Sequence, residues 1–229
     1  MKTFLVTGAS RGIGLALTER LLIDGHRVLA GARNPDGARH LWEFEAAYPK
    51  RLRIVHADVT DDNLATNLGE QLRGEQVDVL INNAGVMGTH TRGLAQLPVA
   101  ELTALLNVNV AGVVRTTLAV LPFLNMTSTP VIAQISSKMG SIAENNDGFS
   151  YSYRMSKAAV NMFAKNLALE FPKIISVTMH PGWVKTQMGG PKASLEARDS
   201  AEGLVKVIGG LKLKDSGKFF DYKGDSIPW

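Results

Sequence analysis

The sequence predicts a single α/β domain over residues 1–229, built as a doubly wound parallel sheet of about seven strands with helices on both faces. Three observations lead there. Short β-branched runs alternate with segments of helical apolar spacing along the whole chain. The strand runs are almost wholly apolar, as expected where both faces of a parallel sheet are covered. Glycines cluster directly after the first run and before the first helical segment, where such a sheet turns its chain sharply.

Each element has its own signal. Phe4-Leu5-Val6 forms the first strand, and the spacing of Leu17, Leu21 and Leu22 places a helix over 12–24. Arg27-Val28-Leu29 and Arg53-Ile54-Val55 flank a helix over 36–47, and a helix over 61–73 leads to Val77-Asp78-Val79-Leu80-Ile81. Residues 98–124 read as one long helix. Its most apolar stretch, Val108 to Leu124, is interrupted by Asn109, Arg115 and Pro122, falls short of the roughly 20 residues of a membrane span, and reads as buried. Val131-Ile132-Ala133, a helix over 152–170, Ile174-Ile175-Ser176-Val177, a helix over 197–212 and Lys218-Phe219-Phe220 complete the pattern. No internal repeat, low-complexity tract or linker divides it.

Composition narrows the function. At 229 residues, 45% hydrophobic and 20% charged, the chain buries a core without staples, which excludes disordered, collagenous and fibrous classes. Its 25 Lys and Arg against 21 Asp and Glu leave a formal charge of only +4, and the basic residues are scattered, so nucleic acid is not an expected partner. Lack of cysteine excludes disulfides, thiolate metal sites and a cysteine nucleophile, and five dispersed histidines offer no metal-ligand spacing. Redox chemistry therefore needs a borrowed cofactor. The chain breaks into glycine at Gly8 before any signal-like apolar run develops, so the expected setting is the cytoplasm, without membrane attachment.

In a doubly wound sheet, ligands bind beyond the carboxyl ends of the strands where the strand order reverses. Thr7-Gly8-Ala9-Ser10-Arg11-Gly12-Ile13-Gly14 stands at such an end. Glycines there permit a tight turn and a close backbone approach to a diphosphate, which the helix N-terminus faces with its N–H groups. Farther on, Tyr153 and Lys157 are four apart in a helical segment and share a face. An ammonium within about 4–6 Å favours phenolate, so Lys157 is expected to draw Tyr153 towards the neutral range and make it a usable proton donor. Tyr151 lacks this arrangement because Met155 stands four residues on.

The Gly-x-x-x-Gly-x-Gly spacing, on a chain of this length, resembles the short-chain dehydrogenase/reductase family. The resemblance continues in the family's order through Asn82-Asn83-Ala84-Gly85, Asn107-Val108-Asn109-Val110, Ile135-Ser136-Ser137, Tyr153-x-x-x-Lys157 and Pro181-Gly182-Trp183-Val184-Lys185-Thr186. Tyr151-Ser152-Tyr153-Arg154-Met155-Ser156-Lys157, His180-Pro181-Gly182-Trp183 and Asp221-Tyr222-x-Gly-x-x-Ile227-Pro228-Trp229 resemble its C-factor/sniffer group of carbonyl-reductase-like members.

The resemblance implies a Rossmann-type, NADPH-dependent carbonyl reductase, or the reverse alcohol dehydrogenase, acting on a small apolar aldehyde or ketone. In it Tyr153 protonates the carbonyl oxygen and Lys157 also holds the nicotinamide ribose. A serine ending the fifth strand, Ser136 or Ser137, binds the substrate oxygen as part of an oxyanion site, and alignment on Ile-Ser-Ser favours Ser137. Asn109, with Asn107 as the competing assignment, kinks the long helix and supports a proton relay to Lys157. Gly8, Ser10, Arg11, Gly12, Ile13 and Gly14 form the diphosphate turn. Asp58 and Val59 face the adenine, although Asp58 has a rival use as a cap for the helix over 61–73, which Thr60 or Asp61 supplies equally well. Asn83, Ala84 and Gly85 lie beneath the cofactor, and Pro181, Gly182, Val184 and Thr186 line its nicotinamide end.

Charge after the second strand selects the cofactor. Ala32-Arg33 carries no acid to accept from an unmodified ribose, and Arg33 with Arg11 presents two cations to a 2′-phosphate, which points to NADP(H). Ser137 and Tyr153 stand farther apart than in typical family members, the additional residues falling in the polar run Ala143-Glu144-Asn145-Asn146-Asp147-Gly148. Met87, Met139, Phe149, Trp183 and Met188 are the candidate pocket lining, beneath a short cover over 186–201. Residues 104–124 and 152–170 are apolar over more than one helical stripe, which with the resemblance implies a homodimer or homotetramer. The alternative function is an NADP(H)-binding signalling or regulatory protein of C-factor type. Intact Ser137, Tyr153 and Lys157 weigh against it, since binding alone has no use for a tuned acid.

Overall fold

The predicted alternation folds into one seven-stranded sheet in a computed structural model that describes residues 1–91 and 93–229. Strands β1 (Thr3–Thr7), β2 (Arg27–Ala32), β3 (Leu52–His56), β4 (Val79–Asn82), β5 (Val131–Ile135), β6 (Ile175–His180) and β7 (Phe219–Asp221) lie in the order β3-β2-β1-β4-β5-β6-β7. Every pairing is parallel. Helices α1 (Gly12–Ile23), α2 (Arg39–Ala47), α3 (Leu64–Gln71), α4 (Val99–Leu106), α5 (Gly112–Val120), α6 (Tyr151–Glu170) and α7 (Ala197–Gly210) lie between the strands. The second helix starts three residues later than predicted because Asn34 to Gly37 form a turn, closed by the Gly37 N–H donating to Asn34 Oδ1 at 3.3 Å.

Burial of consecutive residues on both sides explains the unbroken apolar strands. Along β1, Phe4 and Val6 enter one core with Leu17 and Leu21 of α1, Leu41 of α2 and Leu204 of α7. Leu5 between them enters the other core, with Leu64 and Leu68 of α3, Val120 of α5 and Leu167 of α6. Each such side chain contributes about 1.5–3 kcal/mol by leaving water, so neither face of the strand is free to carry a charge. The strand order turns back at β1, which has β2 on one side and β4 on the other, and this sets a crevice above the carboxyl ends of β1 and β4.

The long helix over 98–124 carries an interruption that periodicity did not reveal. Between α4 and α5 lies a π-helical segment, Asn107–Ala111, and a 3₁₀ turn at Leu121–Phe123 accommodates Pro122. The continuous helix, Val99–Phe123, is long and apolar enough to cross a membrane by length and composition, unlike the shorter stretch judged from the sequence. Here α5 packs against β4 and α3 and α4 against α6, with somewhat under half of the apolar stretch buried. The helices expected to mediate self-association do expose apolar side chains: Leu118 on α5 and Met155, Met162 and Leu169, seven apart along α6.

Candidate active site

The crevice begins where β1 passes into α1. Gly8 has φ +64°, and a Cβ there would lie 3.0 Å from the Ala84 Cα, while one on Gly14 would lie 2.2 Å from the Gly8 carbonyl oxygen. Only glycine fits either place. Thr7 Oγ1 accepts the N–H groups of Asn83 and Ala84, both at 3.0 Å, and Asn83 Nδ2 donates to the Thr7 carbonyl at 2.9 Å. The ends of β1 and β4 are thereby laced together. Arg11, at the N-cap of α1, is extended and makes no side-chain cap, leaving the first-turn N–H groups to an anion. Ser10 and Ile13 are half-buried in the same turn. A bare cradle with a free helix N-terminus fits the diphosphate of a dinucleotide.

The structure separates the tasks of the two arginines. Arg33 is exposed at the end of β2, and its charge reaches Asp58. Burial opposes ionisation of Asp58, yet hydrogen bonds from Thr60 and the charges of Arg33 and His56 outweigh it and hold the carboxyl below its ordinary range. Asp58 is not the helix cap: its Oδ1 takes the Thr60 N–H at 3.0 Å and hydroxyl at 2.7 Å, and Asp61 accepts from the Asn63 N–H at 2.9 Å just before α3. Val59 is buried against Gly112. Arg11, expected beside Arg33 at a 2′-phosphate, instead donates to Gln187 Oε1 at 2.9 Å, towards the segment after β6. In that segment Pro181 accepts the Ser200 hydroxyl at 2.6 Å, Gly182 has φ +86°, Val184 bridges to Leu195, and Thr186 lies over Gly12.

Beyond β5 the catalytic candidates converge. Ser137 hydrogen-bonds the Tyr153 phenol and accepts the Met139 N–H at 3.2 Å. Ser136 points elsewhere, donating to Asn161 Oδ1 at 2.6 Å, so the choice between the two serines falls on Ser137. Lys157 Nζ stands 5.6 Å from the Tyr153 ring centre and donates to the Ile135 carbonyl at 2.8 Å. Asn109, in the π-helical segment, clamps Val86 from both sides: its Oδ1 accepts the Val86 N–H and its Nδ2 donates to the Val86 carbonyl, each at 2.8 Å. Its Nδ2 also donates to Ser156 Oγ at 3.0 Å, and Ser156 in turn donates to the Tyr153 carbonyl at 2.8 Å. Asn107 accepts from Arg115 at 3.0 Å and takes no part. A Cβ on Gly85 would lie 3.2 Å from Asn109 Oδ1 and 3.7 Å from Lys157 Nζ, which joins the cofactor crevice to the catalytic group.

Desolvation dominates the electrostatics. Burial pushes Tyr153 up to about 12 against the opposing hydrogen bond from Ser137, and pushes Lys157 down to about 8. The expectation that Lys157 draws the phenol towards neutrality is therefore not met in the chain alone: both groups lose water, and the ammonium is directed at the Ile135 carbonyl. At neutral pH Tyr153 keeps its proton. Because the folded value of Lys157 lies below its ordinary 10.5, the unfolded chain binds more protons between pH of about 8 and 10.5, and stability rises with pH across that window. A contribution of about 3 kcal/mol is expected to be recovered there, and to be absent in Lys157→Met. Melting temperatures of the two ligand-free proteins test this, and a constant difference from pH 8 to 10 would mean that Lys157 titrates like a surface lysine.

The proposed lining residues differ in exposure. Met87, Met139 and Phe149 are half-buried, whereas Trp183 and Met188 are exposed. Phe149 is stacked beneath Arg154 at 5.1 Å, and Trp183 Nε1 donates to the Gly189 carbonyl at 2.9 Å, folding over its own loop. Residues 143–148 form turns tied back by the Lys138–Glu144 ion pair at 2.6 Å. Thr7, Ser156, Asn161 and Gln187 were missed in the sequence. Ser156 lies within the Tyr153–Lys157 motif, three residues from Tyr153, and so had a readable signal. The other three act through partners at least 21 positions away.

Comparison with known proteins agrees with this geometry. A family model described as short chain dehydrogenase matches residues 2–197. C-signal of Myxococcus xanthus is 46% identical over 155 residues, covering 67% of this chain and 93% of that protein. The carbonyl reductase Sniffer of D. melanogaster has a TM-score of 0.92 and 31% identity, with 100% of both chains covered. An NADPH-bound carbonyl reductase from chicken fatty liver has a TM-score of 0.90 and 32% identity, covering 100% of this chain and 99% of that one. A glycine-rich turn at the sheet's reversal, followed in chain order by the asparagine, serine, tyrosine and lysine that the fold gathers, places this protein in the short-chain dehydrogenase/reductase family, among its C-factor/sniffer-like members.

Proposed function

We propose that the protein is an NADPH-dependent carbonyl reductase, or in reverse an alcohol dehydrogenase, for small apolar aldehydes and ketones. The observation that carries this reading is the gathering of buried Ser137, Tyr153 and Lys157, with Lys157 Nζ 5.6 Å from the Tyr153 ring centre and close to Gly85. When bound, the nicotinamide supplies or accepts the hydride. Ser137 orients the substrate oxygen, and Tyr153 donates the proton from its hydroxyl to that oxygen. Lys157 binds the ribose and balances charge left on the phenol, and Asn109 positions the segment after β4 at Val86. A tyrosine that keeps its proton at neutral pH suits the reducing direction.

Residues Gly8, Ser10, Arg11, Gly12, Ile13 and Gly14 would hold the diphosphate, Arg33 the 2′-phosphate, and Asp58 with Val59 the adenine. Asn83 and Ala84 would support the ring stack from below, and Pro181, Gly182, Val184 and Thr186 would hold the carboxamide end. NADP-bound and NADPH-bound relatives of the same fold support this cofactor. Identity to C-signal supports a second reading, a regulatory protein that binds NADP(H) with little turnover. Assaying aromatic and aliphatic aldehydes and ketones by NADPH absorbance, with calorimetric NADPH binding on the same preparation, separates the two. Turnover of an apolar carbonyl is expected, and tight binding without turnover of any of them would favour the regulatory reading.

A further inference from the structure

The motif Ile227-Pro228-Trp229 has no part in this chemistry, yet it meets the turn that begins at Ser137. That turn is a single 3₁₀ segment, Lys138–Gly140, with Ser137 as its N-cap. So short a segment has little stability of its own. Its inner side rests on α6: the Gly140 carbonyl accepts Asn161 Nδ2 at 3.1 Å, and a Cβ on Gly140 would lie 2.7 Å from the Lys157 backbone. Its outer side is held by the motif. Ser141 Oγ donates to the Pro228 carbonyl at 2.6 Å, and the Ala143 N–H donates to the Trp229 carbonyl at 2.9 Å. The motif is in turn fixed to the last strand of the sheet, since the Ile227 N–H donates to the Phe219 carbonyl at 2.8 Å and Trp229 stacks on buried Phe219 at 5.6 Å.

We propose that Pro228 and Trp229 are positioning residues for Ser137, pressing the 138–143 turn onto α6 so that the serine hydroxyl stays registered against Tyr153. The inference rests on the catalytic reading of Ser137 and Tyr153 for its kinetic consequence, while the mechanical part stands by itself. Ser141 is 1% exposed, donates its hydroxyl proton to Pro228 and accepts the Glu144 N–H at 3.1 Å, so the grip by the exposed Pro228 and Trp229 is anchored on a buried side chain. Misplacement of a reacting group by about 1 Å costs up to roughly a hundredfold in rate, whereas the diphosphate turn between β1 and α1 belongs to different elements from the α6 helix on which the 138–143 turn rests.

The test compares Trp229→Ala, Ser141→Ala and Trp229→Phe by backbone hydrogen exchange, NADPH affinity and carbonyl reduction. Trp229→Ala removes the stack, and Ser141→Ala removes the donor with little change in volume. Both are expected to speed exchange over residues 138–143 and to lower kcat by about ten- to a hundredfold, with NADPH affinity unchanged within about twofold. Trp229→Phe keeps an aromatic ring on Phe219 and should restore both readouts. Unchanged exchange over 138–143 in Ser141→Ala would overturn the proposal even if Trp229→Ala does not fold. So would faster exchange with unchanged kcat. Tyr153→Phe, run in parallel, reports on the catalytic reading alone: activity surviving there removes that reading and leaves the exchange result standing.

Discussion

Tyr153→Phe is expected to lower kcat for carbonyl reduction by about 10²–10⁴-fold while NADPH binding stays near that of the parent protein. The substitution deletes one hydroxyl and no packing volume. Tyr153 is buried and its hydroxyl is hydrogen-bonded by Ser137, so the loss leaves Ser137 with the Met139 N–H as its remaining local partner. An unmade hydrogen bond of this kind costs about 1–3 kcal/mol of stability, too little to unfold a domain of this size. The rate effect is larger because, among the described residues, neither titratable neighbour replaces the acid: Lys157 is directed at the Ile135 carbonyl, and Tyr151 lies on another part of the helix turn. Single-turnover reduction at saturating NADPH measures the step directly. Retention of more than about a tenth of the parent rate would move the proton donor elsewhere.

Cofactor choice is the second large effect. Arg33 is exposed and free to meet a 2′-phosphate, and one charge-assisted contact contributes about 1.5–3 kcal/mol. Arg11, expected to add a second contact, donates to Gln187 Oε1 in the chain alone and would have to exchange that bond for the phosphate. The neighbouring carboxylate of Asp58 further offsets Arg33. A preference for NADPH over NADH on the order of 10² in kcat/KM is therefore the expected result. Arg33→Asp removes the attraction, places repulsion against the phosphate and offers NADH a ribose acceptor, so the ratio should invert. Steady-state kinetics with both cofactors decides it, and a ratio that does not move on substitution would mean Arg33 is an ordinary solvated charge.

Some of this protein was decided by short-range pattern. Apolar runs without alternation specify strands buried on two sides, as Phe4, Leu5 and Val6 show by entering opposite cores in succession. The glycine turn and the four-residue step from Tyr153 to Lys157 are local geometry, readable because a helix and a tight turn have fixed periods. What the pattern left open depended on partners far along the chain. Ser136 and Ser137 are told apart by Asn161 and Tyr153, Asn107 and Asn109 by Arg115 and Val86, and the direction of Arg11 by Gln187. The acidity of Tyr153 is not legible for the same reason: spacing places an ammonium beside a phenol, but desolvation belongs to the packed interior and raises the phenol to about 12. Periodicity records which face of an element turns inward. Only the assembled sheet decides which groups, brought from distant positions, share that interior and how much water they lose there.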